Sequence, residues 1–184
     1  MSDTDKTNPF EKEVTLPSRG KFYGGKLPGG SVTLRPIKVA EEKLLAGSGN
    51  KMALADKVLQ RCILSPCIPL RDMILTDKFY LLLVLRNISY GPEYQFQVKC
   101  STCSTQFKRS ITLPEGLGLK MAVDTDMEPF DVTLPQSAKV VSLRFMRGSD
   151  EEETEAFIKG LPAAKSDEGD PAYEFKLSRY IVRI

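Results

Sequence analysis

The sequence predicts an α+β fold with a helical core, a β-hairpin that carries a CxxC turn, and an extended N-terminal arm. Apolar residues recur at steps of three and four in the first half of the chain, which is typical of amphipathic helices. Alternating strand-like segments flank Cys100 and Cys103, and proline and glycine repeatedly interrupt residues 13–30. These three observations together set the fold class.

Composition and charge narrow the kind of protein that this chain can be. A length of 184 residues, of which 41% are hydrophobic, suffices to bury a core without a metal or disulfides. The net charge of +2 gives no general attraction to nucleic acid or anionic membranes. The polar N-terminus does not resemble a signal peptide, and the longest apolar run, Phe79–Leu85, is too short to cross a bilayer. We therefore expect a cytoplasmic product with reduced cysteines and with neither a membrane nor a nucleic-acid partner.

The first segment is interpreted as an extended arm. In "VTLPSRGKFYGGKLPGGSVTLRPI" prolines and glycines exclude long regular elements, and only a short strand at Ser31–Leu34 is expected. The predicted division is an arm at 1–30 and a single α+β domain at 31–184, with helices and the hairpin at 31–115 and a strand pair with C-terminal helices at 116–184.

Two helices are predicted in the centre of the chain. In "SGNKMALADKVLQRCI" the apolar residues fall on one face, and Cys62 lies on that face as a small core residue. In "LTDKFYLLLVLRNISYG" they run nearly all round, so this helix should be central to the core. Thr76 is its expected N-cap, Asp77 suits the helix dipole in the first turn, and Gly91 with Pro92 ends it.

A β-hairpin is predicted next. The two strands, "EYQFQVKC" and "STQFKRSITL", are joined by the turn that contains Cys100 and Cys103. The apolar residues that alternate along them are Tyr94, Phe96 and Val98 on the first strand and Phe107, Ile111 and Leu113 on the second.

The C-terminal third is predicted to hold a strand pair and two helices. The strands lie at roughly 130–134 and 139–145. A short helix follows in "SDEEETEAFIKGL", with Ser149 or Asp150 as its N-cap and an acidic run that compensates the helix dipole on a solvated face.

After a loop in "AKSDEGD", the last segment is predicted to be a helix, although its apolar residues also alternate as in a strand. Asp170 can cap this helix and Pro171 suits its first position. The apolar pattern runs to Ile184, so we expect the native chain to continue beyond it.

The chain offers no recognisable catalytic constellation. It contains no histidine, which removes every histidine-based triad and every mixed histidine and cysteine metal site. Neither GxxxxGK[ST] nor GxGxxG occurs, so both common phosphate-binding loops are missing from the sequence. A thiol of Cys100 or Cys103 would lack a histidine as its base. The sequence therefore predicts a protein without enzymatic activity.

Zinc is the cofactor that the cysteines would permit. Cys100 and Cys103 have the spacing of a zinc-ribbon half-site, in which a hairpin turn aims both sulfurs to one side. Cys62 and Cys67 are the remaining cysteines, at a looser spacing, and a four-thiolate site would require a helix end to meet the hairpin tip. The other interpretation, which we favour, is that no cofactor is bound and the thiols stay reduced.

Nucleic-acid binding by a zinc ribbon is an alternative of another class. Lys99, Lys108 and Arg109 flank the cysteine turn, and Phe107 or Tyr94 could stack on bases. Three local charges make a weak electrostatic footprint, and the net charge does not reinforce it. Salt-dependent retention on DNA would support this alternative, and its absence would remove it.

The order of these signals resembles a known family. The segments "LPSRGKFY", "LADKVLQRCI" and "LLLVLRNISYGPEYQFQVKCSTCSTQF" are similar to the T4-type bacteriophage baseplate protein family, over roughly residues 14–115. The patterns LPSxGxxY and LRxxSYGxxYxFxxxCxxC carry the resemblance. The family includes hub subunits and hub assembly factors of contractile tails.

The resemblance implies a structural component of the baseplate hub that binds other baseplate and hub proteins, and it allows a homo-oligomer within the assembly. It also implies synthesis in the host cytoplasm and retention in the virion. A transient hub assembly chaperone, absent from the finished particle, is the alternative. An arm too interrupted to fold alone should become ordered against a neighbour. We therefore expect Leu16, Pro17, Phe22 and Tyr23 to contact partner subunits, with packing onto their own domain as the alternative.

Overall fold

Helices and small antiparallel sheets alternate along the chain in a computed structural model that describes residues 10–123, 127–161 and 170–184. The elements are β1 (Lys12–Thr15), β2 (Ser31–Leu34), α1 (Val39–Ala46), α2 (Lys51–Cys62), β3 (Ile63–Ser65), α3 (Leu75–Tyr90), β4 (Glu93–Lys99), β5 (Gln106–Thr112), β6 (Phe130–Thr133), β7 (Val140–Leu143), α4 (Gly148–Gly160), α5 (Pro171–Tyr180) and β8 (Ile181–Arg183). The expected α+β class is confirmed. The start of the predicted arm, before residue 10, and the predicted loop at 164–169 lie outside the described residues.

A three-stranded sheet, in the order β1-β2-β3, joins the N-terminal segment to the central helices. β1 pairs with β2 from Lys12↔Leu34 to Thr15↔Ser31, and β2 pairs in turn with β3. The boundary expected between residues 30 and 31 therefore falls inside a hairpin. Strand pairing therefore ties part of the predicted arm to the predicted domain, and the division into arm and domain stays a prediction.

The main core lies between this sheet and helices α2 and α3. Cys62 at the end of α2 is fully buried, as its position on the apolar face predicted. The other core side chains come from the sheet and its loop, from α2 and from α3 with the residues before it: Val14, Leu16, Tyr23, Leu27, Val32, Leu34, Val58, Leu59, Ile63, Ile68, Met73, Ile74, Leu81, Val84 and Leu85. Burial of these side chains supplies the main favourable free energy of folding.

Helix α3 is central to the core, as expected, but its first turn differs from the prediction. Its N-cap is Ile74, which makes no side-chain cap, and Thr76 is exposed inside the helix. Tertiary contacts fix this end instead, because the Leu75 N–H donates to the Met146 carbonyl at 2.9 Å. The helix ends at Gly91, whose φ of 90° is accessible to glycine, as the sequence indicated. Among the described residues, no helix is long and apolar enough to cross a membrane.

The C-terminal third forms a sheet in the order β6-β7-β8, with α4 and α5 beside it. Both predicted strands are present, and α5 begins as predicted, with the Asp170 carboxylate accepting from the Ala172 and Tyr173 N–H groups. The helix stops at Tyr180, and the last residues pair with β7 as β8. The residues whose alternation suggested a strand, at 173–177, lie in the helix, and the short strand that follows it was not predicted.

Helix α4 corrects two predictions about the acidic run. Its N-cap is Arg147, and Asp150 lies in the first turn, where its carboxylate accepts from the Arg147 N–H at 2.8 Å. Asp150 is buried and forms a two-bond ion pair with Arg144, at 2.6 and 2.8 Å. Glu151 pairs with the buried Lys78 of α3. These carboxylates therefore fasten α4 to the body of the protein, and they do not form only a solvated face.

Candidate interaction surface

The segment "LPSRGKFY" is held inside the domain by the buried carboxylate of Asp77, on α3. This carboxylate accepts hydrogen bonds from the Ser18 N–H at 3.0 Å, the Ser18 hydroxyl at 2.5 Å and the Tyr23 hydroxyl at 2.8 Å. The Tyr23 oxygen in turn accepts from the Ile74 N–H at 3.1 Å. Burial raises the pKa of Asp77, although the bonds from Ser18 and Tyr23 oppose that shift. Burial first, and the Asp77 charge second, raise the pKa of Tyr23.

Two glycines allow the loop of this segment to close. Gly20 has a φ of +74°, and a Cβ there would lie 2.1 Å from the Leu27 carbonyl oxygen. Gly30 has a φ of +61°, and a Cβ there would lie 2.5 Å from the backbone of Arg19. A side chain at either position would meet both backbone strain and a clash with backbone atoms. The pattern LPSxGxxY is thus explained by folding: leucine and tyrosine fill the core, serine and tyrosine bind Asp77, and glycine permits the turn.

The four residues expected to contact partners are mostly used within the chain. Leu16, Pro17 and Tyr23 are buried. Phe22 is half-buried, with its ring centroid 4.9 Å from that of Phe145. The Pro17 carbonyl also accepts from the Ala122 N–H at 2.6 Å. The structure therefore places these side chains against their own domain. Asp77, which is distant in sequence, supplies the hydrogen-bond acceptor that the neighbouring residues lack.

One exposed apolar surface of the central region lies on the β4–β5 hairpin. The register pairs Tyr94 with Ile111, Phe96 with Arg109, and Val98 with Phe107, so these six residues share one face, here called the apolar face. Three aromatic rings on it are open to solvent: Tyr94 is 45%, Phe96 38% and Phe107 40% exposed. The opposite face is polar throughout: Glu93, Gln95, Gln97, Lys99, Gln106, Lys108, Ser110 and Thr112.

Aromatic and cationic side chains are ordered on the apolar face. The rings of Tyr94 and Phe96 stack with centroids 6.0 Å apart. The Arg109 guanidinium lies 5.2 Å from the Phe107 centroid, and Arg86 of α3 lies 5.3 Å from that of Tyr94. Such cation–π contacts restrain the rings without removing them from solvent. The face is therefore preorganised as well as exposed.

The base of the hairpin is fixed to the C-terminal end of α3. The Arg86 guanidinium donates to the Gly91 carbonyl and, at 2.8 Å, to the Glu93 carbonyl. The Asn87 amide donates to the Leu113 carbonyl at 2.7 Å, and the Leu113 N–H donates to the Pro92 carbonyl at 2.8 Å. These bonds orient the hairpin relative to the core. The segment after β5 packs near its base, where Gly116 lies against the Ile111 side chain, and the three aromatic rings further along stay open to solvent.

The hairpin tip carries Cys100 and Cys103, but the predicted four-cysteine set does not assemble. Cys62 is buried in the core and Cys67 is exposed in another loop. Within the described ranges, no group of three or more Cys, Asp or Glu side chains is placed to hold a metal ion. At the tip, hydrogen bonding to the Thr105 hydroxyl lowers the pKa of Cys103 to about 7, and contact with Cys100 contributes. Cys100 and Cys103 thus lie together at the tip, away from the other two cysteines.

A protein-family model described as T4 bacteriophage base plate protein matches residues 10–128, more than half of the chain. The chain belongs to this family. The match was expected at roughly 14–115, and it includes the Asp77-bound segment, the main core and the whole β4–β5 hairpin. No match was found among the curated proteins or among the solved structures.

Membership of the family makes this chain a bacteriophage baseplate protein, and the family implies a location in the virion tail. Other baseplate proteins are accordingly its partners at the level of the assembly. The baseplate protein's sheet β6-β7-β8 and helices α4 and α5 lie beyond the matched residues. The exposed apolar face, by contrast, lies inside them. Sequence reasoning found the alternation of this face but expected partner contacts at the N-terminal segment, and that expectation stays a prediction.

Proposed function

We propose that this protein is a non-enzymatic structural component of the hub region of a contractile-tail baseplate. It binds other baseplate proteins during assembly and is retained in the virion. The observation that supports this function is the apolar face of the hairpin, which lies within the family-matched residues and exposes three aromatic rings. Aromatic residues with arginine are the side chains most enriched at the energetic centres of protein interfaces.

The occupant of the apolar face is a neighbouring baseplate subunit. A lone two-stranded hairpin is marginally stable in water, so packing a partner on one face stabilises both the hairpin and the complex. The only charge on the face is Arg109, and Arg86 lies at its base. A matching partner surface is therefore apolar at its centre and carries carboxylates or carbonyl oxygens opposite these guanidinium groups.

A paired substitution tests this role in the phage. Phage that lack the gene are complemented with the wild-type protein, with Phe96→Thr/Phe107→Thr, or with Gln95→Thr/Gln97→Thr on the polar face. Threonine keeps the strand propensity, and all four positions are exposed, so both variants should unfold at the wild-type temperature. We expect the first variant to lower the yield of infectious particles by at least about tenfold and the second to leave it unchanged.

Equal yields from the two variants would remove the apolar face from the assembly contacts. Mass spectrometry of purified wild-type particles examines retention separately. A constant copy number of the chain in mature tails is the expected result. Its presence in assembling baseplates and absence from finished particles would instead identify a transient assembly chaperone.

A further inference from the structure

The CxxC turn at the tip of the β4–β5 hairpin is built as a metal half-site. The Ser104 N–H donates to the Cys100 carbonyl at 2.9 Å, and the Cys100 N–H donates to the Thr105 carbonyl at 3.0 Å. Ser104 has a φ of 59°, which reverses the chain tightly after Cys103. The two thiols lie in contact, and the Cys103 sulfur is 3.3 Å from the Thr105 hydroxyl. This turn presents two sulfurs together at the outermost point of the hairpin.

Completing ligands for this half-site are missing from residues 10–123, 127–161 and 170–184. Structural zinc is four-coordinate, and its cysteine-rich sites are closed by protein ligands. In the part of the chain that the structure describes, no third cysteine or carboxylate is grouped with the tip thiols. Cys62 is enclosed in the core and Cys67 lies in the loop after β3, so neither supplies the missing sulfurs.

We propose that Cys100 and Cys103 hold one zinc ion jointly with the same two residues of a second copy of this chain. A two-fold axis through the metal gives each copy an identical role and makes a tetrahedral four-thiolate site. Each hairpin strand has seven residues and reaches about 20 Å, at roughly 3.3 Å per residue. Two hairpins can therefore meet at their tips without collision between the two bodies.

The charges at the tip make this contact depend on the metal. Between Tyr94 and Thr112 the hairpin contains Lys99, Lys108 and Arg109 and no acidic residue. Two metal-free tips repel each other, because the three basic side chains leave each tip with a net positive charge. Four thiolates around one Zn²⁺ carry a net charge of −2, which attracts the lysines of both copies. We therefore expect a monomer without zinc and a dimer with it.

The inference does not depend on the proposed function, because it concerns the tip and not the apolar face.

Full-length protein is purified under anaerobic conditions with a phosphine reductant, stripped of metal and titrated with ZnCl₂. Light scattering on a sizing column measures the mass, and elemental analysis measures zinc per chain. The expected result is a doubling of mass at one zinc for two chains. With Co²⁺ as the probe, the visible spectrum should be that of a tetrahedral tetrathiolate.

Single cysteine variants provide the matched comparison. Cys100→Ser and Cys103→Ser should each abolish the doubling and lower bound zinc at least tenfold, whereas Cys67→Ser, at an exposed thiol away from the tip, should behave as wild type. All three lie in exposed or half-exposed loops, so thermal unfolding should be unchanged. One zinc per monomeric chain, zinc uptake without dimerisation, or no uptake at all would overturn the proposal.

Discussion

Asp77 is the side chain on which the position of the N-terminal segment depends. Its carboxylate is fully buried and receives three hydrogen bonds, all from Ser18 and Tyr23. A buried carboxylate without partners is costly, and buried donors without an acceptor are costly too. The buried carboxylate therefore needs the donors of Ser18 and Tyr23, and these donors need the carboxylate. This mutual requirement explains why a segment interrupted by proline and glycine is ordered against its own domain.

Replacing Asp77 with alanine should lower the free energy of unfolding by about 2–4 kcal/mol, because Ser18 and Tyr23 then lose their acceptor in the core. Urea denaturation monitored by circular dichroism measures the change. Thr76→Ala is the control, since Thr76 is the exposed neighbour on the same helical turn and should cost less than about 0.5 kcal/mol. Equal stability of the two variants would show that the Asp77 contacts contribute nothing.

The ion pair between Arg144 and Asp150 predicts a specific dependence of stability on pH. Burial alone raises the pKa of Asp150, but the bonds from Arg144 and the Arg147 N–H outweigh it, so its pKa in the folded state is lowered. A lowered carboxyl pKa stabilises the fold above the unfolded value of about 4, and the stabilisation is lost as pH falls through the folded value. Arg144→Gln should therefore be destabilised at pH 7 and approach the wild type below about pH 4.

Chemical denaturation of both proteins across that pH range provides the measurement. Lys159→Gln serves as the matched variant, because Lys159 forms a solvated ion pair with Glu155 on α4, and its side chain is 72% exposed. This variant should differ little from the wild type at any pH. A stability difference for Arg144→Gln that stays constant from pH 7 to pH 3 would contradict the assignment.

The roles of single residues could be predicted from the sequence where the residues that determine the role are close by in the chain. Cys62 was found in the core because its helix has a clear apolar face, and Asp170 was found as a cap because the cap and Pro171 are adjacent. Asp77 was interpreted as a first-turn charge, since its true partner, Ser18, is 59 positions away. Leu16 and Tyr23 were assigned to partners for the same reason. Nothing in their neighbourhood predicts a contact that is made across the core.

The β4–β5 hairpin was predicted in both extent and facing. Strict alternation and a turn between the strands specify such an element without information from elsewhere in the chain. What alternation does not specify is whether an apolar face is covered. A face that repeats every second residue looks the same in a sequence whether it packs on a core or awaits another molecule.

Exposure of both hairpin faces predicts a local difference in stability. The amides in the middle of β4 and β5 should exchange with solvent at least about tenfold faster than those in the centre of α3, because the hairpin can open without unpacking the core. Hydrogen–deuterium exchange with mass spectrometry tests this on the isolated protein. Protection in the hairpin equal to that in α3 would mean that the hairpin and the core open only together.

The described residues form three small sheets together with the helices, and long-range contacts connect them. The sequence predicted an extended arm because proline and glycine interrupt residues 13–30. Pairing of β1 with β2 and the contact to Asp77 both cross the end of that arm. Towards the other end of the chain, Glu151 of α4 forms an ion pair with Lys78 of α3. Arg147, the N-cap of α4, donates to the Phe22 carbonyl. These connections explain why the described parts fold as one unit although each sheet is small.

The hydrogen bonds between Ser18 and Asp77 also affect how the protein folds during synthesis on the ribosome. Residues 10–30 are synthesised before α3, the helix against which they pack. Ser18 precedes Asp77, its hydrogen-bond partner on that helix, by 59 positions. In that interval Leu16 and Tyr23 remain in water, open to chaperones or to a wrong neighbour. Substitutions that prevent Ser18 or Tyr23 from reaching Asp77 should therefore disturb the folding of the whole domain.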